Sequence, residues 1–122
     1  MVPMVLVWNF SPERLEKLRM LCRRLGLACR PVYPAECGAP IAALPERAPA
    51  APGLAVMPFA DEMLLMRGLD RRMIDQLLAG LKAFGLAPVP LKAMMTPTSA
   101  AWSAIQLHEE LRREHLSFQK KT

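Results

Sequence analysis

The chain repeats part of its own sequence, and this repeat constrains the fold more than any other feature. Residues 4–32 align without a gap on residues 63–91, which lie 59 positions further along the chain. Coinciding residues include Met4 and Met63, Leu6 and Leu65, Leu18 and Leu77, Pro31 and Pro90, and Gly26-Leu27-Ala28 and Gly85-Leu86-Ala87. Each copy has the pattern of a strand, a helix, a glycine stop and a second strand. Two such βαβ units in one short chain predict a pseudo-symmetric α+β sheet.

Local signals mark where the elements of each unit begin and end. Residues 2–8 are almost continuously apolar, which is typical of a central strand covered on both faces. Ser11 is suited to cap the following helix and Gly26 to end it, and Asp70 and Gly85 take the same places in the second copy. The second strands of the two units, residues 28–34 and 89–95, contain prolines and are therefore expected at sheet edges.

These elements predict a ferredoxin-like βαββαβ sheet with strand order 4-1-3-2, in which the first and third strands are parallel neighbours. We expect one domain over residues 1–122, with a Pro/Ala-rich connection at 38–60 and an added C-terminal helix at 97–116. The alternative is an all-parallel, flavodoxin-like sheet with three layers. It requires a full helix between the second and third strands, and the proline-rich connection is a poor candidate for one.

Composition limits the classes of function. The 122 residues carry a net charge of +5, but basic and acidic residues alternate on the predicted helices, which is typical of solvated faces. No apolar run reaches the roughly 20 residues of a membrane span, and the first residues predict a strand rather than a secretion signal. Three cysteines without Cys-x-x-Cys spacing predict free thiols in a reducing cytoplasm, with no disulfide, metal or cofactor.

The C-terminal third resembles a family of small bacterial proteins, the domain of unknown function family 3783. The resemblance rests on residues 92–99, on Trp102 and on the pairs at 110–111 and 114–115, while residues 6–11 fit the family's opening strand and turn. The family usually has asparagine where this chain has Ser99. The resemblance implies the fold of both βαβ units and the last helix, and a bacterial origin. It implies no activity, because none is established for the family.

Two groups of polar residues are candidates for a site. Thr96, Thr98 and Ser99 precede the last helix, where hydroxyls and free N–H groups either cap the helix or bind an anion. His108 and His115 are seven residues apart, too far along a helix for the i,i+4 spacing of a zinc pair. We therefore interpret them as boundary residues, and no catalytic or metal-binding residue is predicted.

The function predicted from the sequence is a non-enzymatic protein-interaction or structural module that forms a homodimer. In a ferredoxin-like fold, two helices cover one sheet face and leave the other open, yet both central strands are apolar throughout. Either the last helix or a second subunit has to cover that face, and Trp102, Met94 and Met66 are the candidate interface residues. Cys22 is interpreted as an inert core residue, whereas Cys29 and Cys37 flank an edge strand.

Three other functions stay open as alternatives. A weak nucleic-acid-binding domain would fit the net positive charge, although the third strand lacks the aromatics that stack on bases. A small-ligand sensor has no supporting motif. An acylphosphatase-like hydrolase needs a Gly-rich anion loop with an arginine after the first strand, and residues 8–11, Trp-Asn-Phe-Ser, contain neither.

Overall fold

The computed structural model of the chain describes residues 2–45 and 56–120, with side chains up to residue 114. Four strands and four helices follow one another in the chain. They are β1 (Met4–Trp8), α1 (Pro12–Leu25), β2 (Ala28–Pro31), two 3-10 turns (Pro34–Glu36 and Ile41–Ala43), β3 (Met63–Arg67), α2 (Arg71–Ala83), β4 (Leu91–Met94), α3 (Pro97–Ala100) and α4 (Ala104–Lys120). Residues 46–55 of the Pro/Ala-rich connection lie outside the described residues. No described helix combines the length and the apolar character needed to cross a membrane.

Helices α1 and α2 begin and end where the sequence predicts. The Ser11 hydroxyl accepts a hydrogen bond from the Arg14 N–H, and the Asp70 carboxylate accepts one from the Met73 N–H. Gly26 and Gly85 follow α1 and α2 with φ angles of 73° and 70°. This left-handed conformation strains residues that have a Cβ atom, so glycine is the residue best suited to both stops.

The four strands form one mixed α+β sheet, but their order differs from the predicted one. The order is β2-β1-β3-β4, whereas 4-1-3-2 was expected. Strands are parallel within each βαβ unit, and the two central strands, β1 and β3, are antiparallel. The prediction of parallel central neighbours is therefore wrong. Within each βαβ unit, the second strand pairs with the first. No strand of the other unit lies between them. As predicted, β2 and β4 lie at the two edges of the sheet.

Residues that are equivalent in the repeat meet at the centre of the molecule. Leu6 pairs with Leu65 in the register between β1 and β3, and the two leucines occupy the same position of the two copies. Leu21 of α1 lies against Gly80 of α2, and these residues are again 59 positions apart. A pseudo-twofold axis thus passes through the sheet between Leu6 and Leu65 and through the helix contact between Leu21 and Gly80.

The correspondence between the two units ends after their helices. Met4 pairs with Ala28 on β2, whereas Met63 pairs with Leu91 on β4. The repeat would place Ala87 opposite Met63, so β4 begins four residues later than the repeat predicts. The matching prolines, Pro31 and Pro90, consequently occupy different places: Pro31 lies within β2 and Pro90 precedes β4.

The sheet has a hydrophobic core on each face. Helices α1 and α2 cover one face, with Val5, Val7, Leu64 and Met66 from the sheet packed against them. The opposite face contributes Leu6, Trp8, Met63 and Leu65, all of them fully buried. It is covered by Ile41, Leu44 and Phe59 and by Ala104 and Leu107 of α4. The sheet face that was expected to be open is therefore covered by other parts of the same chain. This removes the original reason for expecting a second subunit.

The predicted single helix at 97–116 is two helices. The chain leaves the helical path at 101–103, because the Trp102 carbonyl accepts a hydrogen bond from the Ile41 N–H at 2.8 Å. Ser103 then caps α4: its hydroxyl accepts from the Gln106 N–H, and the Gln106 side chain accepts from the Ser103 N–H. This break places α3 against the second 3-10 turn, while α4 packs against β4 on the second sheet face.

Candidate functional site

Two of the three predicted hydroxyl residues, Thr96 and Ser99, form the cap of α3. The Thr96 hydroxyl accepts a hydrogen bond from the Ser99 N–H at 3.1 Å, and the Ser99 hydroxyl accepts one from the Thr96 N–H at 2.9 Å. Ser99 is buried, whereas Thr98 is exposed. The two hydroxyls thus satisfy each other's backbone groups in a capping box, and α3 is only four residues long. Capping accounts for Thr96 and Ser99 without an anion.

The three predicted interface residues do not form one surface. Met66 and Met94 are cross-strand partners on β3 and β4, but Met66 is buried beneath the helices and Met94 is 44% exposed. Trp102 packs against the core on the opposite sheet face. Of the three, Met94 is the most exposed.

A polar cluster that the sequence analysis missed joins α4 to the residues before β3. His108 Nε2 lies 2.8 Å from an Asp61 carboxylate oxygen, and Arg112 donates to the same oxygen at 2.9 Å. The His108 ring stacks on Phe59 with 4.1 Å between ring centroids. The hydrogen bond from His108, with the nearby Arg112 charge, lowers the pKa of Asp61 below its ordinary value.

Asn9 completes this cluster from the end of β1. Its backbone has a φ of 65°, and its side-chain amide donates to the carbonyls of Phe59 and Asp61 at 2.9 and 3.0 Å. Asn9, the residue after β1, therefore holds the chain before β3 in place through these two hydrogen bonds, rather than forming part of an anion-binding loop. In the described part of the chain, no hydroxyl or thiol hydrogen-bonds to His108. The cluster therefore fastens α4 to the residues before β3.

The cysteines and histidines do not form a metal site in the described ranges. No group of three or more His, Cys, Asp or Glu side chains converges within residues 2–45 and 56–114. Cys22, Cys29 and Cys37 are free thiols. Burial raises the pKa of the Cys37 thiol, and the neighbouring Glu36 charge adds to this effect. The side chain of His115 lies outside the described residues.

Comparison with known proteins gives one family and no individual relative. Searches among curated proteins and among solved structures return no match. Residues 62–118, which contain β3, α2, β4, α3 and most of α4, match the family described as Domain of unknown function (DUF3783). The first βαβ unit lies outside the matched residues. The predicted resemblance is therefore confirmed over the second half of the chain, which is similar to this domain of unknown function.

Proposed function

We propose that this chain is a non-enzymatic protein-interaction module and that it forms a homodimer through the free edge of β4. The observation that carries the proposal is the direction of the backbone groups on this edge strand. Met95 donates its N–H to the Met66 carbonyl of β3 at 2.7 Å. Because successive residues of a strand point their N–H and C=O groups to opposite sides, Lys92 and Met94 direct theirs away from the sheet.

The other edge of the sheet is less suited to pairing. On β2, Ala28 and Val32 donate their N–H groups toward β1, so Cys29 and Pro31 are the residues that face outward. Proline has no N–H, and an edge strand that carries one is poorly suited to accept a further strand. The β4 edge therefore offers two outward donors and β2 offers one.

Two β4 strands fit together about a twofold axis at Ala93. In an antiparallel pairing centred there, Lys92 of each copy faces Met94 of the other and exchanges both backbone hydrogen bonds with it. The 44% exposed side chain of Met94 then packs on the aliphatic part of the opposite lysine. Such an interface is isologous, as expected for a homodimer, and it is small enough to be reversible.

The experiment is light scattering after size-exclusion chromatography, at micromolar concentration, on the full chain and on two variants. Met94→Lys places like charges across the proposed strand pair and should give a monomer. Met20→Lys is the matched control, because Met20 is also 44% exposed but lies on α1, away from the β4 edge. It should leave the wild-type dimer intact. A monomeric wild type, or equal loss of the dimer in both variants, would overturn the proposal.

A second candidate function is electrostatic binding of a polyanion such as single-stranded RNA. Exposed side chains of α1 and α2 include seven basic residues and three acidic ones. The basic ones are Lys17, Arg19, Arg23, Arg24, Arg71, Arg72 and Lys82. Binding of this kind should disappear as salt is raised. Binding that persists at physiological salt with a base preference would instead indicate specific recognition.

The cysteines support a location for this module. Buried free thiols such as Cys22 and Cys37 are typical of a reducing compartment, and the family resemblance is to bacterial proteins. We place the protein in a bacterial cytoplasm. Alkylation of freshly lysed cells should find all three cysteines reduced, whereas a cysteine already oxidised in unstressed cells would contradict this location.

A further inference from the structure

Two cysteines from different elements share one groove beside the β2 edge. Cys22 lies in the last turns of α1 and Cys29 is the second residue of β2. The two thiols are close enough for a side-chain hydrogen bond between them to shift the pKa of each. Both line a groove of about 390 Å³ together with Arg19, Arg23 and Leu27. The sequence alone suggested an inert Cys22, and the structure instead makes it the neighbour of a second thiol.

The turn at Gly26 explains why these residues meet. Gly26 takes a left-handed conformation, and the Leu27 N–H donates to the Cys22 carbonyl at 2.8 Å. The chain therefore reverses within two residues and enters β2 directly beneath the end of α1. Residue 29, which pairs with Val5, points to the helix-covered face of the sheet. A spacing of seven residues thus places both cysteines in one groove at a helix–strand junction.

The two thiols differ in exposure and in acidity. Cys22 is 1% exposed, whereas Cys29 is partly exposed in the groove. The hydrogen bond from Cys22 lowers the pKa of Cys29, and the Arg19 charge lowers it further against the opposing effect of burial. The same hydrogen bond and burial raise the pKa of Cys22. Cys29 is therefore the more acidic thiol of the pair, and Cys22 behind it is the less acidic one.

We propose that Cys29 and Cys22 form a redox-active dithiol site that reacts with small anionic disulfides. Cys29 is the attacking thiolate, Cys22 resolves the mixed disulfide, and Arg19 and Arg23 attract the anionic groups of the oxidant. The two arginines lie one helical turn apart on α1, are exposed and line the groove. This inference is independent of the proposed dimer, since the site lies at the β2 edge and dimerisation uses β4.

The reaction is thiol–disulfide exchange in two steps. The Cys29 thiolate attacks one sulfur of the external disulfide, forms a mixed disulfide, and releases the first thiolate, which takes a proton from water. Cys22 then loses its proton to water, and the resulting thiolate attacks the Cys29 sulfur. The Cys22–Cys29 bond forms as the bond between Cys29 and the external sulfur breaks, and the released second thiolate takes a proton from water. Two protein thiols are thereby oxidised by two electrons, and one external disulfide is reduced to two thiols.

The experiment treats the full-length reduced protein with oxidised glutathione and follows the products by intact mass after alkylation. The wild type should lose two free thiols and retain no glutathione. Cys22→Ala and Cys22→Ser should each trap one glutathione on Cys29, and Cys29→Ser should form no adduct at the site. Cys37→Ser is the matched control and should behave as wild type, because Cys37 is 2% exposed in the core on the other sheet face.

The arginines are tested by the charge of the oxidant. Oxidised glutathione is anionic and cystamine is cationic, so each Arg→Gln replacement at residue 19 or 23 should lower the ratio of the two rates. An exposed charge changes such a rate ratio by about two- to fivefold. Three outcomes would overturn the proposal. They are retention of glutathione on Cys29 in the wild type, reaction of Cys37 before Cys29, and a rate ratio that neither arginine replacement changes.

Discussion

Replacing Gly80 by alanine tests how tightly the two helices pack at the pseudo-twofold axis. A Cβ atom at residue 80 would lie 2.3 Å from Leu21 Cδ1 and 3.0 Å from Leu21 Cδ2. The shorter distance is far inside van der Waals contact, so the leucine side chain has to move. Leu21 is only 3% exposed and is surrounded by the helix-side core, so its movement disturbs other buried side chains.

Two opposing effects decide the sign of the change in stability. Alanine in place of glycine inside a helix stabilises by about 1 kcal/mol. Added volume in a packed core destabilises by about 1–3 kcal/mol. Because Leu21 fills the space that the new methyl group needs, we expect the second effect to win. Gly80→Ala should therefore lower the free energy of unfolding by about 1 kcal/mol.

The effect of Gly80→Ala on stability should change sign when Leu21 is first replaced by a smaller residue. Leu21→Ala removes the clashing methyl groups and costs about 2–5 kcal/mol by itself. In this background, Gly80→Ala meets no clash, keeps its helix propensity and fills part of the new cavity. It should then raise the free energy of unfolding by about 1 kcal/mol, which corresponds to a coupling energy of about 2 kcal/mol between the two positions.

The assay is urea unfolding of the four proteins of this double-mutant cycle, followed by far-UV circular dichroism. Ala79→Gly is a suitable control, because Ala79 is an exposed neighbour on α2 and reports helix propensity alone. It should cost about 1 kcal/mol. If Gly80→Ala stabilises the wild type as much as it stabilises the Leu21→Ala variant, Leu21 has room to move and the tight helix contact inferred here does not exist.

Three further substitutions test contacts elsewhere in the fold, each by urea unfolding. Asn9→Ala removes two hydrogen bonds to carbonyls before β3 and should lower the free energy of unfolding by about 2–3 kcal/mol. Asn9→Gly suits the positive φ and should cost about 1 kcal/mol less. Equal losses in the two variants would show that φ is unimportant at this residue. Asp61→Asn should change the pH dependence, because the folded-state pKa of Asp61 is lowered, chiefly by His108. The stabilising contribution of Asp61 is full above its unfolded-state pKa of about 4 and is lost as pH falls through its folded-state pKa. The difference in free energy of unfolding between wild type and Asp61→Asn should therefore shrink in acid. A difference independent of pH would contradict this. Glu36→Gln removes the Glu36 carboxylate from its ion pair with the buried Arg30 guanidinium and should cost about 3–5 kcal/mol. Arg30→Met combined with Glu36→Met should cost far less, and equal costs would show that charge pairing is not the cause.

The elements of the fold were predictable from the sequence because their signals are local. Ser11, Asp70, Gly26 and Gly85 cap or stop helices through contacts within a few residues, and the prolines marked the edge strands. The strand order was not predictable in the same way. A βαβ unit whose strands are adjacent and one whose strands are separated have the same local pattern, so nothing in residues 4–32 distinguishes them.

Contacts between distant residues account for the other differences. The break before α4 depends on a bond from Ile41 to Trp102, and the Asp61–His108 contact joins residues 47 positions apart. Neither pair has a sequence signature. The Cys22–Cys29 pair is close in sequence, but the two residues lie on different elements, and only the length of the turn between helix and strand decides whether their sulfur atoms meet.

The pseudo-twofold axis has a consequence for how such a molecule can change its sequence. If two identical half-chains associated about this axis, every residue on it would face its own copy. A leucine at the helix contact would then meet a leucine, and a glycine would meet a glycine. Joining the halves in one polypeptide removes this restriction, since each position can vary alone. Leu21 packs opposite Gly80, a combination of a large and a small residue that two identical subunits could not place on their symmetry axis. Leu6 opposite Leu65 keeps the symmetric arrangement.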